Sequence, residues 1–298
     1  MPQAYAHKTR LAPTPTGYMH LGNVYSFALT AALAQQHNAA ILLRIDDLDH
    51  QRVNNAYVQD IFDELQFLNI PWHEGPRNIQ ELEQQWGQQQ RMHLYSQALQ
   101  ALQEQGLVFA CNCSRTTVQH NSTEGIYTGD CRHKRLPFDT NAWRFNTPGT
   151  GTVAIKTGDG RFIQQALPAN MQHFVVRKKD GHPSYQLASV IDDLFFNVDM
   201  IVRGADLWPS TIAQHYLAEK LQQPGFKNII FYHHGLVLGQ AGEKLSKSAG
   251  STSIQYLRKQ GHTAEDIYAL VGRMCGLGDI KSWKDIDAAL LEKHWLSV

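Results

Sequence analysis

The chain has 298 residues, of which 43% are hydrophobic, and its 27 basic and 27 acidic residues give a formal net charge of zero. This length supports one large domain or two modest domains with a sizeable core. A neutral chain is not expected to bind nucleic acid nonspecifically, so any such contact must be local.

The sequence shows no signal peptide, no apolar run of 18 or more residues and no lipidation motif. We therefore expect a cytoplasmic protein without a membrane segment. Thiols stay reduced in that compartment, so the four cysteines are not interpreted as a disulfide framework.

The first predicted elements are a strand over residues 9–12, a turn rich in proline and glycine, and a helix over residues 23–36. The start of such a helix presents backbone N–H groups and the positive end of its dipole, which suits a phosphate. Gly22 has no Cβ, so a flat ring or a phosphate can approach the backbone closely. His20 can donate a hydrogen bond to a phosphate oxygen as charge builds in a transition state.

The next strand, predicted over residues 39–45, ends in an acidic cluster within residues 46–49. These carboxylates can either bind a cationic group or simply end the strand and cap the next helix. The strand–helix–strand pattern places a nucleotide at the carboxyl ends of parallel strands. Helices are then predicted over residues 55–68 and 81–106.

Three cysteines, Cys111, Cys113 and Cys131, lie close together in a segment that contains glycine and serine. Clustered thiols of this kind indicate a closed, structural zinc site, which needs a fourth ligand. General ligand preferences favour a histidine for that position, either His120 or His133.

The cysteines belong to a segment over residues 110–180 that we interpret as an insertion in an α/β fold. Strands are predicted in it over residues 142–146, 152–155 and 173–177. The fold resumes with a helix over 185–194, a strand over 200–202, a helix over 209–221 and a strand over 229–232. Helices over residues 253–260, 264–275 and 283–295 follow, and the lone Cys275 is interpreted as a small core residue.

The stretch EKLSKS at residues 243–248 places Lys244 and Lys247 three residues apart in a loop flanked by glycines. Mobile cations on such a loop suit the binding of a leaving pyrophosphate. Taken alone, this stretch is usually a solvated loop, and a His-x-Gly after a strand is usually a turn.

Together, the two stretches resemble the paired ATP-binding signatures of class I aminoacyl-tRNA synthetases. The first, RLAPTPTGYMHLG at residues 10–22, is similar to the form R-F-A-P-S-P-T-G-x-L-H-x-G of the glutamyl branch. Residues 183–193 and 201–207 also match, and the resemblance runs in order from about residue 9 to about residue 248. It implies a reaction in which a substrate carboxylate attacks the α-phosphate of ATP, with Mg²⁺, and pyrophosphate leaves.

The resemblance implies a Rossmann-type nucleotide-binding fold with an inserted, zinc-bearing module similar to the acceptor-binding module of the family. It divides the chain into the first half of the catalytic domain (residues 1–109), the inserted module (110–180), the second half with the lysine loop (181–250) and a short C-terminal helical part (251–298). No anticodon-binding domain is expected.

The resemblance also implies roles for individual residues. The catalytic residues are His20, Lys244 and Lys247. The ATP-binding residues are Pro13, His20, Gly22, Asn23, Lys244, Ser246 and Lys247. The amino-acid-binding residues are Arg10, Ala12, Thr14, Asp46, Tyr185, Ser189 and Arg203. The zinc ligands are Cys111, Cys113, Tyr127 and Cys131, with the tyrosine hydroxyl as the fourth donor.

Two positions depart from the pattern of the glutamyl branch. Asp46 stands where the family has a glutamate that binds the substrate amino group, and Ser189 stands where an asparagine is usual. The shorter Asp46 weakens a direct ion pair with an amino group unless a water bridges it. Arg10 and Arg203 can hold a carboxylate bidentately, which suits a glutamate substrate.

Only about 50 residues follow the lysine loop, too few for the anticodon-reading domain of the longer glutamyl-tRNA synthetases. The short branch of the family contains glutamyl-queuosine tRNA(Asp) synthetases, which load glutamate onto a modified anticodon base. The expected partners are therefore L-glutamate, ATP and tRNA(Asp) carrying queuosine, bound by a monomer. Two alternatives are another amino-acid-activating ligase, favoured if Asp46 reshapes the pocket, and a non-catalytic RNA-binding paralogue.

Overall fold

The computed structural model of the protein describes residues 6–49, 53–120, 122, 126–147, 149, 151–237 and 253–286. The predicted ATP-binding residues Lys244, Ser246 and Lys247 lie outside the described residues. No helix in the described ranges combines the length and the apolar character needed to cross a membrane.

Helices and strands alternate along the described chain, as expected for an α/β protein. In chain order they are β1 (Lys8–Leu11), α1 (Leu21–His37), β2 (Ala40–Leu43), α2 (Asn55–Phe67), α3 (Ile79–Glu81), α4 (Met92–Glu104), β3 (Val108–Cys111), α5 (Arg115–His120), β4 (Ala142–Phe145), β5 (Thr152–Thr157), β6 (Phe162–Ala166), β7 (Val175–Arg177), α6 (Tyr185–Phe195), β8 (Met200–Gly204), α7 (Trp208–Lys220), β9 (Ile230–His234), α8 (Ile254–Lys259) and α9 (Ala264–Cys275).

The chain forms two compact units. Of the described residues, unit 1 comprises those within 1–90, 198–206 and 231–298, and unit 2 comprises those within 91–197 and 207–230. The four-part division expected from the resemblance stays a prediction.

Unit 1 contains the predicted strand–helix–strand motif. β1 and β2 are parallel, with Lys8 opposite Ala40 and Leu11 opposite Leu43, and α1 connects them. α1 is buried on most of its surface, so it forms part of the core of this unit. β8 lies beside β1, since the N–H of Asp199 donates to the Lys8 carbonyl at 3.0 Å.

Unit 2 contains the antiparallel strands β3, β4 and β7 and the antiparallel pair β5 and β6. A buried ion pair joins α6 to the start of α4: Nε of Arg91 lies 2.7 Å from the carboxylate of Asp192. The hydroxyl of Tyr95 donates to the same carboxylate at 2.5 Å. This network fixes the position of α6, which carries two of the predicted site residues.

The prediction of one continuous helix over residues 81–106 is wrong. α3 passes into a short π-helical turn that ends at Gly87, and α4 starts five residues later. Gly87 has an extended conformation, and the N–H of Gln88 donates to the carboxylate of Asp47 at 2.8 Å. A side chain from the acidic cluster therefore interrupts the helix, which the apolar periodicity did not indicate.

Other boundaries also differ from the predictions. α1 begins at Leu21, two residues earlier than predicted. The helix predicted to start at residue 283 is a single 3-10 turn, Trp283–Asp285, followed by an extended Ile286, and residues 287–298 lie outside the described residues. β6 was not predicted because its residues are mostly exposed and lack an apolar alternation.

Candidate active site and metal centre

His20 is the N-cap residue of α1. Its Nδ1 accepts a hydrogen bond from the N–H of Gly22 at 3.1 Å, and its own N–H donates to Oδ1 of Asn23 at 3.1 Å. These two bonds form a reciprocal capping box. With Nδ1 as the acceptor, a neutral imidazole carries its proton on Nε2. Asn23 thus has a structural role, and its role in ATP binding stays a prediction.

Gly22 leaves space for the ring of His20. A Cβ at this position would lie 3.0 Å from Cε1 and 3.1 Å from Nδ1 of His20. Gly22 was predicted to let a ligand approach the backbone. In the structure, its missing Cβ leaves room for the His20 ring, and so allows His20 to cap the helix. The conformation of this turn and the orientation of the imidazole therefore depend on each other.

The turn after β1 runs beside the acidic cluster after β2. The N–H of Arg44 donates to the Leu11 carbonyl at 2.9 Å, and the N–H of Asp46 donates to the Pro13 carbonyl at 2.9 Å. Pro13 is buried, whereas the predicted pocket residues Ala12 and Thr14 are half-buried. Parallel pairing of β1 and β2 thus brings the first signature and Asp46 together, as the order of the elements predicted.

The carboxylate of Asp46 is engaged by Arg44. Nε and Nη2 of Arg44 donate to the two carboxylate oxygens at 2.8 and 3.1 Å, and the Arg44 side chain is 2% exposed. A bidentate pair of this kind is strong and fixes the orientation of both groups. Sequence reasoning missed Arg44, although its spacing of two residues from Asp46 places both on one face of an extended segment.

The predicted carboxylate-binding arginines are both buried in unit 1. Nη1 of Arg10 on β1 donates to the Val202 carbonyl on β8 at 3.4 Å. The next residue, Arg203, lies 3.4 Å from Nε2 of His233, and its guanidinium stacks 5.0 Å from the Phe231 ring. The structure therefore places two buried cations on neighbouring strands, and their role in binding a carboxylate stays a prediction.

The other two predicted pocket residues belong to α6 in unit 2. Tyr185 begins the helix and is 44% exposed, whereas Ser189 is buried one turn later. Their spacing places them on one face of α6, which the Asp192 network described above fixes.

The three clustered cysteines come together as predicted. The Sγ atoms of Cys111, Cys113 and Cys131 all lie within 4.8 Å of one another, and Cys113 and Cys131 are 3.5 Å apart. Tetrahedral zinc with Zn–S bonds of about 2.3 Å needs sulfur atoms about 3.8 Å apart. The thiol positions therefore fit a zinc ion with small adjustments.

Tyr127 lies against this cluster. Its hydroxyl accepts a hydrogen bond from the N–H of Cys131 at 3.0 Å. Burial and hydrogen bonding with Cys111 and Cys131 raise the pKa of Tyr127, and burial with hydrogen bonding to Cys131 raises the pKa of Cys113 to about 12. Within the described residues, neither His120 nor His133 joins the group of possible metal ligands. Tyr127 therefore lies beside the thiols, and its role as the fourth zinc ligand stays a prediction.

Arg144 supports the cluster and was not predicted. Its Nε donates to Sγ of Cys111 at 3.3 Å, and its guanidinium lies 3.8 Å from the centre of the Tyr127 ring. These two contacts hold the Cys111 side chain and the Tyr127 ring in place. Because Arg144 is distant in sequence from Cys111 and Tyr127, no local sequence pattern indicated these contacts.

Comparison with known proteins identifies similar chains. A family profile described as "tRNA synthetases class I (E and Q), catalytic domain" matches residues 7–139 and 134–281. Glutamate–tRNA ligase 2 of Syntrophus aciditrophicus is 32% identical over 292 residues, which cover 91% of this chain and 58% of that protein. The chain therefore spans less than two thirds of the length of this relative.

A second relative is matched over nearly its whole length. Glutamyl-Q tRNA(Asp) synthetase of Rhodobacter capsulatus is 30% identical over 287 residues, which cover 89% of this chain and 99% of that protein. Among solved structures, glutamate-tRNA synthetase from Elizabethkingia anophelis superposes with a TM-score of 0.73 at 22% identity, over 97% of this chain and 66% of that one. This last likeness concerns the fold alone.

Proposed function

The chain belongs to the class I tRNA synthetases of the E and Q family, and we propose that it activates L-glutamate with ATP to form glutamyl-adenylate. The observation that carries the proposal is the geometry of His20. The histidine caps α1 through Nδ1, which leaves the proton of a neutral imidazole on Nε2, and it does so at a helix N-terminus, the kind of helix end that suits phosphate.

The reaction needs no nucleophile from the protein. The substrate carboxylate attacks the α-phosphorus, the bond to the bridging oxygen breaks, and pyrophosphate leaves with Mg²⁺ as part of the ATP substrate. The protein contributes positioning and charge stabilisation. Nε2 of His20 donates to a phosphate oxygen, and Lys244 and Lys247 stabilise the charge on the departing pyrophosphate.

Selection of glutamate is assigned to Arg10 and Arg203. Their buried guanidinium groups bind the carboxylates of the substrate, and glutamine cannot offer the same charge-assisted pair. We assign the substrate amino group to Asp46, whose orientation is fixed by Arg44. Tyr185 and Ser189 are assigned to amino-acid binding by the resemblance.

For the acceptor, we propose the queuosine base in the anticodon of tRNA(Asp). The support is the match to the Rhodobacter protein, which carries that name and is covered over 99% of its length. A hydroxyl of the acceptor attacks the carbonyl carbon of the adenylate, an ester forms, and AMP leaves. The acceptor proton passes to solvent or to the phosphate.

Zinc is proposed as a structural ion held by Cys111, Cys113, Tyr127 and Cys131. The convergence of three thiols and a phenol within unit 2 supports this assignment. A zinc ion held by these residues would join the end of β3 to the turn that contains Cys131, and no step of the reaction would pass through it.

The decisive experiment is aminoacylation with radiolabelled glutamate of tRNA(Asp) that does or does not carry queuosine. Label should appear only on the modified tRNA and should survive removal of the 3′-terminal nucleotides. Label at the 3′ end would instead indicate charging of the tRNA end, and absence of label on every tRNA would contradict the transfer step.

A second candidate is a ligase that activates a different small amino acid. The observation in its favour is the bidentate pair between Asp46 and Arg44, which reduces the charge that Asp46 can offer to an amino group. ATP–pyrophosphate exchange with a panel of amino acids separates the two candidates, because only the first requires a preference for glutamate.

A further inference from the structure

Met19, the residue before His20, is held from two sides within unit 1. Its N–H donates to the carboxylate of Asp60 on α2 at 3.0 Å. Its carbonyl accepts the N–H of Ile254, the first residue of α8, at 2.8 Å. Ser253 also pairs with His20 in an isolated antiparallel bridge. The start of α8, which follows the lysine motif in sequence, is therefore bonded directly to the first signature.

The same two helices are joined a second time, one turn further along α2. Nη1 of Arg258 on α8 donates to Oε1 of Glu64 at 2.9 Å, and the Glu64 side chain is fully buried. The Arg258 guanidinium also stacks 4.5 Å from the Phe67 ring. Asp60 and Glu64 are four residues apart, so both carboxylates lie on one face of α2.

These contacts form a closed circuit of bonds between α2, α8 and Met19, which we call the ring. It runs from Met19 to Asp60, along α2 to Glu64, across to Arg258, and back along α8 to Ile254 and Met19. Two buried carboxylates one turn apart repel each other, and Glu64 keeps Oε2 buried without a hydrogen-bond partner. Apolar side chains would pack two helices together without the cost of burying charged groups. The presence of the ring therefore requires a further explanation.

We propose that Asp60, Glu64 and Arg258 are positioning residues for the activation reaction: they hold Met19, and through it His20, in fixed register with the start of α8. The inference rests on the proposed function, since it assumes that His20 acts on ATP. None of the three residues contacts the reacting atoms, and their effect passes through the backbone of Met19.

Charges around the ring favour this role at neutral pH. Burial raises the pKa of Glu64 to about 7, and Arg258 opposes this effect while Asp60 and Asp63 add to it. Burial likewise raises the pKa of Asp60 to about 6, opposed by the Met19 N–H, Arg258 and Lys259 and increased by Asp63. Only the ionised Glu64 forms a full ion pair with Arg258, so this pair forms as pH rises through about 7, although burial of the ionised carboxylate lowers the stability of the fold.

The test uses the full chain and the variants D60N, E64Q, R258K and D63N. D63N is the matched control, because Asp63 is an exposed carboxylate on the same helix that acts on Asp60 and Glu64 through its charge, as a minor cause of their raised pKa values. In ATP–pyrophosphate exchange with glutamate, D60N and E64Q should lower kcat about tenfold to a hundredfold and leave KM for glutamate within about twofold. R258K keeps the charge but loses the planar fork, so an intermediate kcat is expected.

Two further readouts separate positioning from simple destabilisation. Wild-type kcat should rise as pH increases through about 7, and E64Q should lose this limb of the profile. Hydrogen exchange at the amides of Met19 and Ile254 should accelerate in both D60N and E64Q and stay unchanged in D63N.

The outcomes are distinct. If D60N and E64Q show the same kinetics and amide protection as D63N, the ring is not a positioning device. The same conclusion follows if their losses of kcat only reflect a larger unfolded fraction. If the wild type shows no exchange activity with any amino acid, the proposed function fails. Even then, hydrogen exchange still tests the ring. Unchanged protection of the Met19 and Ile254 amides in D60N would overturn the inference.

Discussion

Arg44 and Asp46 form a bidentate ion pair at the end of β2, with bonds of 2.8 and 3.1 Å, and the side chains are 2% and 12% exposed. The pair fixes the carboxylate that the resemblance assigns to the substrate amino group. Its position beside Pro13 means that a change in either residue affects both stability and the proposed pocket.

Replacing Arg44 with glutamine should lower the free energy of unfolding by about 3 kcal/mol, because Asp46 would remain largely buried without its cation. Urea denaturation measures this change. The control is R161Q, which breaks the exposed pair between Arg161 and Asp159 and should change the free energy by less than about 1 kcal/mol. Equal effects of the two substitutions would contradict the structural importance of the Arg44–Asp46 pair.

His20→Asn should lower the kcat of ATP–pyrophosphate exchange about 10²- to 10³-fold, because the Nε2–H donor is lost. Stability should change little, since asparagine can accept the Gly22 N–H and is itself a good N-cap. Exchange kinetics and thermal unfolding together test this, with the exposed His262→Asn as control. A near-wild-type kcat for H20N would remove the imidazole from the mechanism.

The wild-type protein should prefer glutamate over glutamine by at least about 10²-fold in kcat/KM, because a buried arginine facing an amide loses its charged partner. Exchange kinetics with glutamate, glutamine and aspartate measure the preference. Asp46→Glu restores the family residue and should keep or improve KM for glutamate. Preference of the wild type for aspartate or glutamine would exclude the glutamyl assignment and favour the second candidate.

Protein purified without added metal should contain about one zinc ion per chain, as measured by elemental analysis. Cys111→Ser and Tyr127→Phe should lower this ratio, because each removes one proposed ligand. Cys275→Ser is the control, since Cys275 lies on α9 outside the cluster. A ratio near zero in the wild type after gentle purification would exclude the zinc site.

The pH dependence of stability should change in Glu64→Gln. A carboxyl whose pKa rises on folding, here from 4.5 to about 7, contributes stability that is complete at low pH and declines as pH rises. The amide of the variant cannot ionise. The Tm of the variant should therefore rise relative to that of the wild type between about pH 5 and about pH 8. Thermal unfolding across this range measures the shift. D63N should show a much smaller trend, because Asp63 is only a minor cause of the raised pKa of Glu64, and a constant difference for E64Q would contradict the raised pKa.

Several features of the site were predictable because they depend on residues close together in sequence. The strand–turn–helix of the first signature follows from composition and capping, and the structure confirms that β1, α1 and β2 form a parallel unit. The spacing of Cys111, Cys113 and Cys131 predicted their cluster. Arg44 could have been predicted in the same way, since alternation along an extended chain places it on the face of Asp46.

Other features were decided by tertiary structure alone. Asp60 reaches Met19 across 41 residues of sequence and Arg258 reaches Glu64 across 194, so no local period or motif relates them. The break at Gly87 likewise depends on the carboxylate of Asp47, which overrides a sequence pattern typical of a continuous helix. Helix periods and caps are properties of neighbouring residues, and the sequence contains them directly. The pairing of buried charges depends on which helices pack together, and only the folded chain determines that.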